Sequence, residues 1–361
     1  MTSPDLSNYR WPAEWEPHAS TWLAWPVNPD TWPGIFDRIP PAFARLVAAI
    51  ARFEPVDLLC AREVEQARAL IDAACAEAES AFPVRFHDIP VNDSWCRDYG
   101  PIFLNRNSDA DAARLPAQVI LNWDYNAWGG KYPPWTSDAV VATKIGSQLN
   151  IPVVSPGIIL EGGAIEGNGQ RVVMTTESCL LNPNRNPGLS REEVEDFLRR
   201  YLSVSHIVWL PGEGIIGDDT DGHIDQVARF CSETKVLVAS PFDADAPEAA
   251  DLRANREAIS NARNASGQLL EAIELKMPSP KFQQGHRLPA CYCNFYIANG
   301  GIVVPTFEDP ADEIACQVLQ QCFPSHKIVG VNAIDLIWGL GAFHCMTQQQ
   351  PDSNVVPIGK G

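Results

Sequence analysis

No two cysteines of this chain stand in a CxxC pair, although there are 10 of them. Zinc sites built on paired thiols are thereby disfavoured; Cys291 and Cys293 merely alternate within a strand-like run. No basic-then-apolar leader opens the sequence, since Met1 to Asn8 is polar and Tyr9 onward is rich in Trp and Pro. Nor does any stretch offer the ~20 apolar residues needed to span a bilayer. The expectation is a cytoplasmic chain with reduced thiols and no membrane partner. Positive charge is also scarce: 27 Lys and Arg against 45 Asp and Glu leave −18 at pH 7. Nucleic-acid binding needs a basic footprint and is disfavoured. A cationic ligand would be favoured by the field, but many soluble proteins are equally acidic, so charge alone decides nothing.

What is present is a chain of 361 residues, 45% hydrophobic, ample for a large core. The segment Trp11 to Pro26 has too many prolines and tryptophans for a helix and reads as an ordered loop. Thereafter one grammar recurs. A helix follows Pro40-Pro41, with Phe43, Leu46, Val47, Ile50 and Phe53 on one face, and leads to the strand Val56 to Cys60. A helix over about Glu63 to Glu79 leads to the strand Val84 to Ile89 and then to the polar turn Asn92 to Pro101. Ile102 to Asn105 follows as a strand. A helix near Ser137 to Leu149 leads to Ile151 to Val154 and to Leu160-Glu161-Gly162-Gly163. A helix with Ser190 and Glu193 as a capping box leads to His206 to Leu210 and to Gly217 to Asp225. A helix within about Ala254 to Ile273 leads to Leu275 and Met277, then to Tyr292 to Tyr296. The last helix, with Asp309 as N-cap and Pro310 at its first position, leads to Ile328 to Val331 and to Cys345. Asn107 to Leu115 and Asp243 to Leu252 read as solvated insertions or helix starts.

About five units of helix, strand and polar motif therefore repeat. That pattern suggests a closed, pseudo-symmetric α/β ring with its functional segments on one face. A doubly wound sheet is the alternative, but it would use fewer of its loops.

The polar motifs carry the chemistry. Cys345 follows an apolar run, Val329 to Trp338, and lies among Gly339, Gly341 and small or polar residues, where a turn could present it as a nucleophile instead of burying it inertly. On a strand, His223 and Asp225 would point to one face; a structural histidine beside a solvated acid is the bland alternative. Asp218, Asp219, Asp221 and Asp225 could instead hold a divalent cation, but the pattern lacks the terminal glutamate of a calcium loop. Asp98, beside Trp95, could cradle a planar cation, although an Arg97–Asp98 neighbour pair often means only a salt bridge. Glu161 precedes two glycines and could present a carboxylate or be a β-turn acid. Asn294, in an apolar strand, must find hydrogen-bond partners. Several acids around one thiol would raise its pKa. The combination makes sense if the substrate is itself a cation whose charge helps ionise the thiol.

The chain resembles the agmatine deiminase family, the bacterial peptidylarginine-deiminase-like branch of the guanidine-modifying superfamily. Seven stretches carry the resemblance: residues 11–18, 92–101, 125–130, 161–163, 175–187, 220–225 and 344–349. It implies a pentein-like, five-bladed pseudo-symmetric α/β propeller forming a single catalytic domain over 1–361. It implies Cys345 as nucleophile and His223 as general acid/base oriented by Glu161. Asp98 and Asp225 would bind the two sides of the guanidinium. Trp95 would line the channel for the alkyl stem, and Asn294 matches a site asparagine of the peptidylarginine-acting relatives. The implied reaction is hydrolysis of agmatine to N-carbamoylputrescine and ammonia, toward putrescine, with no cofactor and no metal. The partner is the small cationic substrate, with homo-oligomer formation left open. Two departures stand out. Asp219 replaces the glutamate expected to receive the substrate's distal amine, and Gly339-Leu340-Gly341-Ala342-Phe343 replaces a glycine-richer loop before His344-Cys345. No arginine lies in Asn126 to Gly130, where the peptidylarginine-acting relatives hold a carboxylate, which favours a decarboxylated substrate. The alternatives are another guanidine (arginine or an arginine-derived amine), a metal-dependent hydrolase on the 218–225 loop, or a non-catalytic guanidine binder.

Overall fold

A computed structural model describes residues 6–108 and 115–354. Much of the Asn107 to Leu115 insertion and of the polar start lies outside the described residues.

One unit is built five times among the described residues: an antiparallel strand, a central strand, a helix, and a third strand parallel to the central one. In the second blade the strands are Ile102–Arg106, Gln118–Leu121 and Val153–Val154, with the helix Val141–Leu149. In the third they are Glu166–Gly167, Val172–Thr176 and His206–Leu210, with the helix Arg191–Leu202. In the fourth they are Ala228–Phe230, Lys235–Ser240 and Glu271–Lys276, with the helix Ala249–Asn261. In the fifth they are Tyr296–Ala298, Gly301–Thr306 and Lys327–Asn332, with the helix Ala311–Cys322. The first blade takes its antiparallel strand from the far end of the chain. Thr347–Pro351 pairs with His18–Ala24, which pairs in parallel with Val56–Leu59 across the helix Ile39–Ile50. The ring is thus closed by a pairing of Thr347 with Leu23, and the fold is the five-bladed α/β propeller.

Local sequence explains the units. The helix Arg191–Leu202 buries Val194, Leu198, Tyr201 and Leu202, one face at a helical period, and turns its charges outward. Its start is the expected capping box: Glu193 N–H donates to Ser190 Oγ at 3.3 Å, and Ser190 N–H donates to Glu193 Oε2 at 2.8 Å. Central strands such as Val172–Thr176 are buried throughout, as strands covered on both faces must be.

Several expected elements differ. His18–Ala24 is a strand, not a loop, because Trp11 and Trp15 pack outside it while Thr21, Trp22 and Leu23 alternate into its two buried faces. The fourth-blade helix begins at Ala249 and ends at Asn261, and its strand begins at Glu271, ahead of Leu275. The last helix begins one residue later than expected. Pro310 is its cap, and Asp309 Oδ1 accepts from Ala311 N–H at 3.0 Å. The run Val329 to Trp338 splits into a strand ending at Asn332 and a short 3-10 turn over Leu336–Gly339.

Candidate active site

Each blade's antiparallel strand is entered through a short helical turn, and every one of these turns carries a candidate residue. They are Cys96–Tyr99 with Asp98, Gly162–Ala164 with Glu161 before it, Ile224–Gln226 with His223 and Asp225, Tyr292–Asn294 with Asn294, and Phe343–Met346 with Cys345. Two readings are corrected by this. His223 and Asp225 do not share a strand face; a 3-10 turn presents them. Asn294 likewise ends a 3-10 turn, not an apolar strand.

The side chains meet. Asn294 Nδ2 donates to Cys345 Sγ at 3.1 Å, and Cys345 N–H donates to Asn294 Oδ1 at 3.2 Å. Cys345 Sγ lies 3.5 Å from Asp225 Oδ2. Asp98 Oδ1 is 3.7 Å from His223 Nδ1. Asp98 also accepts from Gly163 N–H at 3.0 Å and from Trp128 Nε1 at 3.0 Å. Glu161, Cys179 and His223 each place one ligand-type atom within 4.8 Å of the others. Glu161 Oε1 is held by Arg185 Nε at 2.7 Å. Gly163 has no tolerance for a side chain: a Cβ there would stand 2.6 Å from His223 Nδ1 and 2.7 Å from Asp98 Oδ1.

Burial makes the unsatisfied atoms informative. Asp225 Oδ1, Glu161 Oε2 and both ring nitrogens of His223 are buried without a hydrogen-bond partner. Such atoms cost on the order of 1–3 kcal/mol each unless a ligand meets them. Here they belong to Asp225, the neighbour of the thiol, and to the adjoining pair His223 and Glu161.

The charges are shaped by the same burial. Burial first, then the Asp225 and Asp98 carboxylates, push the Cys345 thiol well above its ordinary value, against the help of Asn294. Burial pushes Asp98 up to about 6 despite the His223 charge, with Asp225 and Glu161 adding to the rise. Burial works against a charge on His223, but Asp98 foremost, with Cys179 and Glu161, outweighs it and raises its pKa well above the imidazole value. Burial would raise Asp225 too; the His344 hydrogen bond and charge overcome it and leave Asp225 lowered.

Above this floor lies a cavity of about 940 Å³ whose wall includes Trp95, Asp98, Trp128, Asp219 and Cys345. Trp95 thus lines the same cavity as Cys345. Asp219 is at the outer part with its carboxylate engaged by the Tyr132 hydroxyl, while Lys131 Nζ donates to its carbonyl at 2.5 Å. The 218–225 loop is not arranged for a cation. Asp218 accepts from Thr220 N–H, Thr220 Oγ1, Gly222 N–H and Gln226 Nε2. Asp221 pairs with Arg185 and Lys131.

The profile of Porphyromonas-type peptidyl-arginine deiminases matches residues 10–351. The chain belongs to that family. Agmatine deiminase of Ectopseudomonas mendocina (strain ymp) is 37% identical over 378 residues that cover 97% of each chain. The fold matches the agmatine deiminase of Enterococcus faecalis with a TM-score of 0.87 at 30% identity, over 98% of each chain. It matches the C. jejuni agmatine deiminase solved with substrate bound with a TM-score of 0.84 at 27% identity, over 95% of this chain and 96% of that one.

This member of the peptidyl-arginine deiminase family also holds residues at its site that sequence reasoning passed over. Trp128 reaches Asp98 from a left-handed stretch, with φ of 52° at Ala127 and 55° at Trp128. Arg185 is buried and ties Glu161 to Asp221 Oδ2 and to Thr220 O at 2.9 Å. Both lie in stretches that carried the resemblance, 125–130 and 175–187, but neither has a local signal for its role. His344 bridges Asp225 and Glu14; only its place beside Cys345 hinted at this. Arg97 is no surface ion pair: it is buried, with Nη1 donating to Gln349 Oε1 at 2.7 Å.

Proposed function

We propose that this chain is an agmatine deiminase, hydrolysing the substrate's guanidinium to give N-carbamoylputrescine and ammonia. The observation that supports this most is the meeting of one thiol, one imidazole and two carboxylates in one buried site, with Asp225 Oδ1 and both His223 nitrogens left without partners. A guanidinium supplies N–H donors on two sides and a positive charge in its plane. Asp225 Oδ1, unpartnered, accepts on one side, and Asp98, whose oxygens each take one protein donor and keep a further lone pair, accepts on the other. That charge, arriving beside Cys345, offsets the carboxylates that hold the thiol protonated.

The Cys345 thiolate attacks the guanidinium carbon, forming a C–S bond and a tetrahedral adduct. The adduct expels one nitrogen as ammonia, which takes its proton from His223, leaving a thiouronium on sulfur. His223, now neutral, draws a proton from water. The hydroxide adds to the same carbon, the C–S bond breaks, the added hydroxyl gives its remaining proton to solvent, and the neutral ureido product leaves with the thiolate restored. Asn294 steadies the sulfur throughout, and Glu161, fixed by Arg185, holds His223. No metal or cofactor takes part in these steps.

Trp95 packs on the alkyl stem and Asp219 receives the distal amine. Polyamine synthesis in the cytoplasm is the fitting context. A second reading rests on Lys131: an ammonium beside Asp219 at the outer cavity could meet a carboxylate, which would favour arginine. Ammonia release from agmatine and from arginine, in EDTA and with or without prior iodoacetamide, tests both readings. Release from agmatine that alkylation abolishes is the expected result. Release from arginine alone would move the substrate, and release that EDTA abolishes and iodoacetamide spares would overturn the thiol mechanism.

A further inference from the structure

The stretch Trp11 to His18 carries part of the family resemblance, yet none of its residues enters the steps above. It lies behind the nucleophile. Glu14 Oε2 accepts from His344 Nε2 at 2.8 Å, and Asp225 Oδ2 accepts from His344 Nδ1 at 2.7 Å. His344 is 1% exposed, Glu14 5% and Asp225 0%. Glu14 is further held by Arg229 Nη2 at 2.7 Å and lies 3.6 Å from Arg97 Nη2. Arg229 Nε reaches Glu166 Oε2 at 3.0 Å. Around the imidazole stand Glu14, Glu166 and Asp225 on one side and Arg97 and Arg229 on the other, with Cys345 adjacent in sequence; beyond them Asp98 and His223 pair at 3.7 Å next to Asp225, and Glu54 and His18 pair at 3.0 Å next to Glu14.

We propose that His344, clipped between Glu14 and Asp225 as a doubly protonated imidazolium, is a positioning residue that keeps Asp225 ionised and aims its free oxygen at the substrate. A carboxylate oxygen only accepts, so an imidazole bonded to a carboxylate through each nitrogen must donate from both. The charge balance agrees. Three buried carboxylates face two arginines, and buried charges persist when paired, so the imidazolium is the missing third cation. Burial and the neighbouring Asp98 would otherwise favour a proton on Asp225, which would remove one side of the guanidinium clamp. The bond from His344 also occupies Asp225 Oδ2, the oxygen nearest Cys345 Sγ. This leaves Oδ1, buried and unpartnered, for the incoming N–H. Glu14, locked by Arg229, fixes the far nitrogen and thus the ring's orientation.

The proposal rests on the guanidinium reading of the site, and its test has an arm free of substrate. In His344→Gln, the amide holds both its donors on one nitrogen, presents an acceptor oxygen on the other side and carries no charge. The expected results are a KM for agmatine raised about 30-fold or more with a smaller fall in kcat, and an acid limb of kcat/KM moved up by about one pH unit or more. Glu14→Gln keeps a polar partner but removes the carboxylate that fixes the far nitrogen of His344, and should move the limb the same way by less. In substrate-free protein titrated from pH 8 down to pH 5, infrared difference spectra should show a protonated-carboxyl band that grows in at higher pH in each variant than in the parent, a difference absent when Asp225→Asn is combined with it. A purely structural role would lower the melting temperature and kcat while leaving the limb and the band unmoved, and that result would overturn the proposal. If His344→Gln does not fold, Glu14→Gln alone decides. If agmatine is not turned over at all, the infrared arm still stands, so failure of the substrate reading is kept apart from failure of this one.

Discussion

Asp98 is predicted to be a group that function maintains at the expense of stability. Its pKa stands at about 6 in the folded chain against an ordinary 3.8. Between those values the folded chain keeps a proton that the unfolded chain has lost, so stability falls as pH rises through that window. Above it the full cost is about 3 kcal/mol, at about 1.36 kcal/mol per unit. Asp98→Asn removes the ionisation but not the shape. It gives up part of the bonding to Trp128 and Gly163, because both neighbours donate and an amide offers only one oxygen; that costs about 1 kcal/mol. The variant should therefore be more stable than its parent by about 2 kcal/mol at pH 7.5, roughly 2–3 °C in melting temperature for a chain this long. At pH 4, where the parent's Asp98 is already protonated, it should be slightly less stable. Thermal unfolding by calorimetry at the two pH values measures both. A difference of the same sign and size at pH 4 and 7.5 would refute the reasoning. Activity should move oppositely, with kcat/KM falling on the order of 10²–10³-fold because a buried charge partner is lost.

Other outcomes follow from the same geometry. Cys345→Ala should abolish turnover but still bind agmatine by titration calorimetry; normal activity would sink the covalent mechanism. Parent kcat/KM should drop with decreasing pH through about 6 as Asp98 takes up its proton; a flat profile down to pH 5 would count against Asp98 as an anchor. Gly163→Ala should cut kcat/KM at least 100-fold by pushing apart His223 and Asp98, read in steady-state kinetics with the fold checked by circular dichroism. Trp128→Phe removes one donor from Asp98 and should lower kcat/KM about tenfold, with the acid limb shifted upward.

Much of this was legible in the chain itself. The helix–strand–motif rhythm, the capping box at Ser190 and Glu193, and the polar motifs around Asp98, Glu161, His223 and Cys345 all have local signals. The failures are local too. His223 and Asp225 were read with a strand's period of two, but glycine-flanked polar residues ahead of a strand prefer a turn. His18–Ala24 was hidden by the prolines and tryptophans around it. Glu14, Arg185 and His344 were illegible for a different reason: a buried acid or base reveals its role only through its partner, and Glu14 and His344 are 330 residues apart.

Ring closure by Thr347–Pro351 has a consequence for synthesis. The thiol proposed as nucleophile emerges from the ribosome after four of the five turns it works with. At about 5–20 residues per second, Glu14 waits roughly 15–70 s for His344. Through that interval the nascent chain carries the acidic turns without Cys345, the thiol that meets Asp225 and Asn294 in the closed ring. Thr347–Pro351 is thus both the latch of the ring and the step that completes the proposed site.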